Sequence, residues 1–149
     1  MSYLPDIAVY SPDGRPQVVV VVKGLADKSP DWAASYRHNL LSDPPAVAAP
    51  YFVLALPDHL YVWGGGRDPA PRRPDLDLNA ALVLQPYLLH QENGHPRWRE
   101  GELQIVLTNW LDDLVRTDFG TPAPWAADLE RIGLLPAVRG GEVRVGVAA

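Results

Sequence analysis

Asp6 and Lys23 are the two residues whose setting most invites chemistry. Lys23 closes the run Gln17-Val18-Val19-Val20-Val21-Val22-Lys23. Five consecutive β-branched residues fit a pleated strand and crowd a helix. A strand apolar on both faces belongs inside a sheet, covered on both sides. A lysine at the inner end of such a strand is costly to bury unless a counter-charge meets it. Asp6 can supply that charge if its strand lies alongside. The plain structural reading is that Asp6 caps the first strand or forms an ion pair with Lys23.

Other reactive side chains lack a matching pattern. His38, His59, His90 and His95 show no HExxH or other paired spacing and read as surface or packing residues. Gly64-Gly65-Gly66 lacks the GxxxxGK[ST] pattern of a phosphate loop, and no GxSxG elbow is present. Asp75-Leu76-Asp77 and Asp112-Asp113 are paired acids that read as a solvated loop and a helix face. Trp63, Trp98 and Trp110 have the chemistry of a base-stacking platform, although core or interface packing is the stronger reading.

The elements that must position Asp6 and Lys23 follow from local pattern. Residues 7–10 read as a short strand. Ser11-Pro12-Asp13-Gly14-Arg15-Pro16 then reverses the chain, proline fixing φ and Asp-Gly tolerating positive φ. This predicts a β-hairpin. A four-residue loop at 12–15 sets Ser11 opposite Pro16 and Asp6 beside Val21; a three-residue loop shifts the pairing by one. Alternation puts Val21 and Lys23 on one face, with Val20 and Val22 on the other.

Ser29-Pro30-Asp31 is a helix start, with serine as N-cap, proline in the first turn and aspartate near the positive dipole end. That helix should run to about Leu41, packing Trp32, Ala33, Tyr36 and Leu40 on the sheet while Arg37 and Asn39 point elsewhere. Residues 51–56 and 59–63 read as strands around a Pro57-Asp58 turn. Residues 64–75 read as an exposed loop and 78–89 as a helix interrupted at Pro86. Residues 91–98 form a polar loop. The strongest helical stripe is Leu103, Val106, Leu107, Trp110, Leu111 and Leu114, within 102–115. A further helix spans 125–134, and 142–147 is a final alternating strand or tail.

Composition bounds the function classes. A chain of 149 residues with 47% hydrophobic content, five tryptophans and six tyrosines can bury a substantial core as one domain. No stretch of about 18 apolar residues predicts a membrane span. The first residues lack a basic region followed by an apolar run, so no signal peptide is expected. The absence of cysteine excludes disulfides and thiolate metal sites and fits a cytoplasmic protein. Sixteen prolines against twelve glycines suggest rigid loops. A net charge of −5 argues against sequence-blind binding to nucleic acid, despite the local cluster Arg67, Arg72 and Arg73.

The ordered set of segments resembles the PD-(D/E)XK, or restriction-endonuclease-like, nuclease superfamily, in particular small bacterial proteins of that fold. The resemblance lies in Pro5-Asp6-Ile7-Ala8-Val9-Tyr10, Val21-Val22-Lys23, Trp32-Ala33-Ala34, Asn39-Leu40-Leu41, Ala49-Pro50-Tyr51-Phe52, Leu56-Pro57-Asp58-His59 and Trp110-Leu111-Asp112-Asp113-Leu114. It covers most of the chain. It implies an α/β (α+β) fold: a mixed β-sheet with an N-terminal hairpin, a flanking helix and a helical C-terminal half. The single domain would hold its sheet core at about 5–64 and its helical half at about 76–139.

In such sites two carboxylates hold Mg²⁺ or Mn²⁺, and the metal and a lysine activate water and stabilise charge on a scissile phosphate. Carried over, Asp6 is the first carboxylate and Lys23 the lysine, and the second acid should stand at position 21. Val21 cannot ligate a metal. The expectation is therefore a catalytically degenerate nuclease-like protein, without a cofactor, acting as a binding or assembly module. Nucleic acid is a weak candidate partner and a homodimer another. Two alternatives remain open at this point. One is an active Mg²⁺-dependent endonuclease with a relocated acid, Asp27 or Asp31. The other is a purely structural small domain.

Overall fold

The chain is described from a computed structural model, over residues 5–42, 48–65, 71–87 and 100–146. Arg67, His90, His95, Trp98, the polar loop at 91–98 and Val147 lie outside the described residues. The valine run forms β2 (Pro16–Val22), and Val18 to Val22 are all buried. β2 pairs antiparallel with β1 (Ile7–Tyr10), setting Ile7 opposite Val20, Ala8 opposite Val19 and Val9 opposite Val18. Continued by one residue, this register places Asp6 beside Val21, as the sequence predicted. The loop differs. A bulge after Val9 sets Tyr10 opposite Pro16, and Ser11 N–H donates to Arg15 C=O. The reversal therefore takes one residue more than expected.

The sheet continues from β2 through β3 (Tyr51–Ala55), which is parallel to it, to β4 (His59–Trp63) and β5 (Leu76–Asn79), each antiparallel to its predecessor. On the other side β1 pairs with β6 (Glu142–Val145). Among the described residues the result is a six-stranded mixed sheet of order β5-β4-β3-β2-β1-β6. Five α-helices accompany it among the described residues, and the fold is mixed α+β.

Each face has its own apolar cluster. Val19, Val21, Phe52, Leu54, Tyr61 and Trp63 meet α1 (Pro30–Ser42) through Ala33, Trp32, Tyr36 and Leu40. Ser29 Oγ accepts from Trp32 N–H at 3.1 Å, the predicted N-cap. Arg37 corrects its expected outward orientation. It is 1% exposed, with its guanidinium 5.6 Å from the Trp63 ring centroid. A planar cation over an indole face is one contact that favours a charged side chain in that layer.

The opposite face carries Ile7, Val9, Val18, Val20, Val22, Val53, Leu60 and Val62. It is covered by α2 (Ala80–Leu84), α3 (Glu100–Leu114), α4 (Pro124–Arg131) and α5 (Leu134–Val138). Of the expected helix at 78–89, α2 forms and a 3₁₀ turn at Gln85–Tyr87 carries the expected interruption at Pro86, but Leu78 and Asn79 belong to β5, and residues 88 and 89 lie outside the described residues. Leu76 and Leu78 alternate with exposed Asp75 and Asp77, a period of two that suits a half-buried strand. Asn79 then caps α2 by accepting from Leu82 N–H at 3.2 Å. The expected helix at 125–134 divides at Gly133, whose φ of 89° ends α4. A Cβ there would lie 2.8 Å from the Tyr51 hydroxyl, which donates to Ile132 C=O at 2.8 Å. No helix among the described residues is long and apolar enough to cross a membrane.

The face assignment of α3 is testable by unfolding. Leu107 is fully buried against the sheet, whereas Ile105 is 65% exposed. In urea denaturation of the dilute, monomeric chain, Leu107→Ala should lose about 2–5 kcal/mol, and Ile105→Ala should stay within about 0.5 kcal/mol of the parent. Similar losses at both positions would reverse the orientation of the helix.

Candidate functional site

The parallel strands β2 and β3 end together, and the Leu56-Pro57-Asp58 turn and the start of β1 lie at that same end of the sheet. Ends of this kind are common ligand positions in sheets with parallel strands. Lys23 continues β2 there, its N–H donating to Ala55 C=O at 3.0 Å. Its side chain is partly exposed and makes no ion pair among the described residues. A long aliphatic stem with a hydrated head answers the burial problem without a counter-charge.

Asp6 is held differently. Its Oδ2 accepts from Val22 N–H at 2.7 Å, its backbone N–H donates to Val20 C=O at 2.9 Å, and its C=O accepts from Gly146 N–H at 2.9 Å. Lys23 N–H turns toward β3, so by alternation Val22 N–H turns toward β1. β1 is at its end there, preceded by Pro5. The carboxylate fills the place of a strand carbonyl. Asp6 thus caps the end of β2 rather than the first strand, and the expected ion pair with Lys23 does not form.

Val21 is 5% exposed and belongs to the apolar cluster beneath α1. The candidate replacement acids are placed as follows. Asp31 is 70% exposed and forms a bidentate pair with Arg73, at 2.7 and 3.0 Å. That guanidinium is held above its ordinary range by Asp31. Asp27 lies in the preceding loop with φ of 61°, its N–H donating to Asp58 Oδ2 at 2.9 Å. A hard dication needs several converging oxygen ligands. Among the described residues, no group of three or more His, Asp or Glu side chains is arranged to hold a metal ion.

The chain matches no protein-family model, no curated protein and no solved structure.

A second polar group at this end escaped the sequence reading. His59 Nδ1 lies 2.7 Å from Asp77 Oδ1, and its Nε2 lies 3.9 Å from Asp58 Oδ2. The imidazole stacks on Tyr61, with centroids 4.9 Å apart and planes at 8°. Tyr61 donates to Lys28 C=O at 2.6 Å, and the Lys28 ammonium sits 5.3 Å from the Trp32 centroid. Asp58 also offers its C=O to Ala80 N–H at 3.3 Å. Together these contacts tie the β3–β4 turn, β5 and the approach to α1. The signal was the Leu-Asp-Leu alternation: once 76–79 is a strand paired with β4, Asp77 falls opposite Tyr61.

Arg72 and Arg73 are also engaged. Arg72 pairs with Asp75 at 2.9 Å and donates to Gly64 C=O, while its own C=O accepts from Trp63 Nε1 at 2.9 Å. Trp63 is thereby a core residue, and Trp110 is buried against Trp125 with centroids 5.8 Å apart. Neither offers a free stacking face.

Two outcomes test this account. Asp6→Ala strands the Val22 N–H and should lose about 1–3 kcal/mol. Asp6→Asn keeps an acceptor and should lose less, both read by urea unfolding. Equal losses would show that the hydrogen bond is not what holds β1 to the end of β2.

The second concerns Tyr61. Burial, with help from Asp77 and Asp58, pushes its hydroxyl from 10.0 up to about 12. The folded state favours the neutral phenol. Its contribution is full below pH 10 and is lost as pH rises through about 12. The melting temperature should fall more steeply across that window in the parent than in Tyr61→Phe. The variant should also lose about 1 kcal/mol at neutral pH with the Lys28 hydrogen bond. Parallel pH curves would remove Tyr61 as the titrating group.

Proposed function

We propose that this chain is a PD-(D/E)XK-like, restriction-endonuclease-like domain that has lost metal-dependent phosphodiester cleavage and serves in the cytoplasm as a binding or assembly module. Support for the likeness comes from the order of elements: an antiparallel hairpin, a covering helix, then a strand parallel to the second hairpin strand. Support for lost cleavage rests on one observation. The Asp6 carboxylate is spent on the Val22 amide, while buried Val21 occupies the position where a second acid is needed. One carboxylate already holding a backbone N–H is a poor ligand for a hard cation.

The acids that a relocated site would recruit are placed unfavourably, Asp31 in its pair with Arg73 and Asp27 on a left-handed backbone in an exposed loop. Those placements weigh against the active-endonuclease reading. Nucleic acid as the bound partner is weakened by the net charge of −5 and by the ion pairs of Arg72 and Arg73.

Calorimetric titration with Mg²⁺ and Mn²⁺, alongside cleavage assays on plasmid and single-stranded DNA, decides the matter. The expected result is no saturable metal binding and no cutting. Metal-dependent cutting that Asp6→Ala abolishes would overturn the proposal. Val21→Glu supplies the missing acid and should create metal affinity. Because a carboxylate at that buried position is destabilising alone, added Mn²⁺ should raise the melting temperature of the variant. At about a hundredfold excess over its Kd the metal would return about 2.7 kcal/mol. A folded Val21→Glu protein that gains neither affinity nor stability from the metal would refute the site assignment.

A further inference from the structure

We infer that β6 pairs edge to edge with β6 of a second copy of this chain, giving a two-fold symmetric dimer centred on Val143. This goes beyond the proposed function. It stands on the sheet edge and the groove beside it, and holds whichever way the metal titrations fall.

Among the described residues β6 is the last strand of the sheet, and one side of its backbone has no strand beside it. Gly146 N–H donates to Asp6 C=O at 2.9 Å. By alternation the even-numbered residues of β6 turn their backbone groups to β1, and Val143 and Val145 turn theirs outward. No proline, lysine or bulge interrupts this edge; of the usual protections against pairing it has its short length and the charges of Glu142 and Arg144, which the centred register below pairs with opposite charges. At the opposite edge, β5 is preceded by Pro74 and carries exposed Asp77.

Beside β6, an open groove of about 410 Å³ is lined by Gly101, Gln104, Ile105, Thr108, Asn109 and Val145. Ile105 is 65% and Val145 50% exposed. They are two of the four large hydrophobic residues exposed among those described, and both fall in this groove. It therefore joins an apolar patch to an open hydrogen-bonding edge.

Charge identifies a second copy as the occupant. Glu142 and Arg144 lie on the face shared with Tyr10, where the guanidinium sits 4.1 Å from the tyrosine centroid. Within one chain they form an exposed pair at 3.1 Å. If Val143 faces Val143 of the second copy, Glu142 of each copy stands opposite Arg144 of the other. Sliding by two residues, the smallest step that keeps the faces matched, opposes Glu142 to Glu142 or Arg144 to Arg144. Only the centred register joins opposite charges. In it Val143 N–H meets Val143 C=O of the second copy reciprocally, and Val145 N–H meets Gly141 C=O of the second copy. The two α3 helices come side by side, covering Ile105 and Val145.

Sedimentation equilibrium of the full chain over a wide concentration range, with charge-reversed variants, tests the dimer. The parent should dimerise. Arg144→Glu alone and Glu142→Arg alone should each weaken self-association by about tenfold or more, since every cross-strand pair becomes repulsive. An equimolar mixture of the two variants should regain the affinity of the parent, because positions 142 and 144 are then both acidic in one copy and both basic in the other. A monomeric parent at every concentration would overturn the inference. So would single variants that associate like the parent, or a mixture as weak as its components. Circular dichroism checks that each variant is folded. Hydrogen exchange on the parent gives a reading without substitution: protection of the Val143 and Val145 amides should rise with protein concentration. Protection independent of concentration would equally overturn the dimer.

Discussion

β2 is buried on both faces, so every amide along it must find its partner inside the protein. That requirement shapes the sheet around it. The amides of one side are met by β3 in parallel, through to Lys23 N–H on Ala55 C=O. Those of the other side are met by β1, which ends before β2 does. The Asp6 carboxylate closes the gap by accepting from Val22 N–H. An unmet amide in this position would cost about 1–3 kcal/mol, a considerable share of the stability of a single domain. Backbone hydrogen bonds to Val20 and Gly146 fix Asp6 from both flanking strands, so the cap depends on β6 as well as on β2.

The helical layer is anchored to the same sheet through a tyrosine. Tyr51 begins β3 and sends its hydroxyl to Ile132 C=O, the last carbonyl before Gly133. Burial raises the Tyr51 hydroxyl above its ordinary range, so it remains a donor. The left-handed glycine both ends α4 and leaves room for that hydroxyl. The contact spans 81 residues of sequence, and it lies at the point where the expected helix at 125–134 divides. A parallel case is Tyr87, whose hydroxyl donates to Asp113 on α3 and is raised by burial and by that carboxylate.

Features set by short-range pattern were legible in the sequence. The valine strand, the hairpin, the Ser29 cap and the stripe of α3 each follow from a handful of neighbouring residues, and each is present. The features that were not legible depend on partners distant in the chain. Arg37 is drawn inward by Trp63, a residue of β4. β5 has only Leu76 and Leu78 to announce it, too few to outweigh the helical reading of the residues that follow. The histidine cluster could not be read without β5, because Asp77 reaches His59 only through that strand. At the candidate site the neighbourhood of Asp6, Val21 and Lys23 was legible. The destination of the Asp6 carboxylate was not, because it depends on where β1 stops and on β6 joining from the other end of the sequence.

The hydrocarbon at position 21 and the capping role of Asp6 are two sides of one arrangement. Two carboxylates at adjacent strand ends repel unless a cation lies between them, and burial magnifies the repulsion. A hydrocarbon at position 21 removes that repulsion and extends the apolar layer under α1, where Val21 joins Leu54, Ala33 and Trp32. Asp6 is then a single charge at the margin of an apolar surface, and the neighbouring amide is the donor within reach. Lys23 needs no carboxylate once it is partly hydrated. Each of the three residues thus has its own setting: Val21 in the layer under α1, Asp6 on the Val22 amide and Lys23 partly in water.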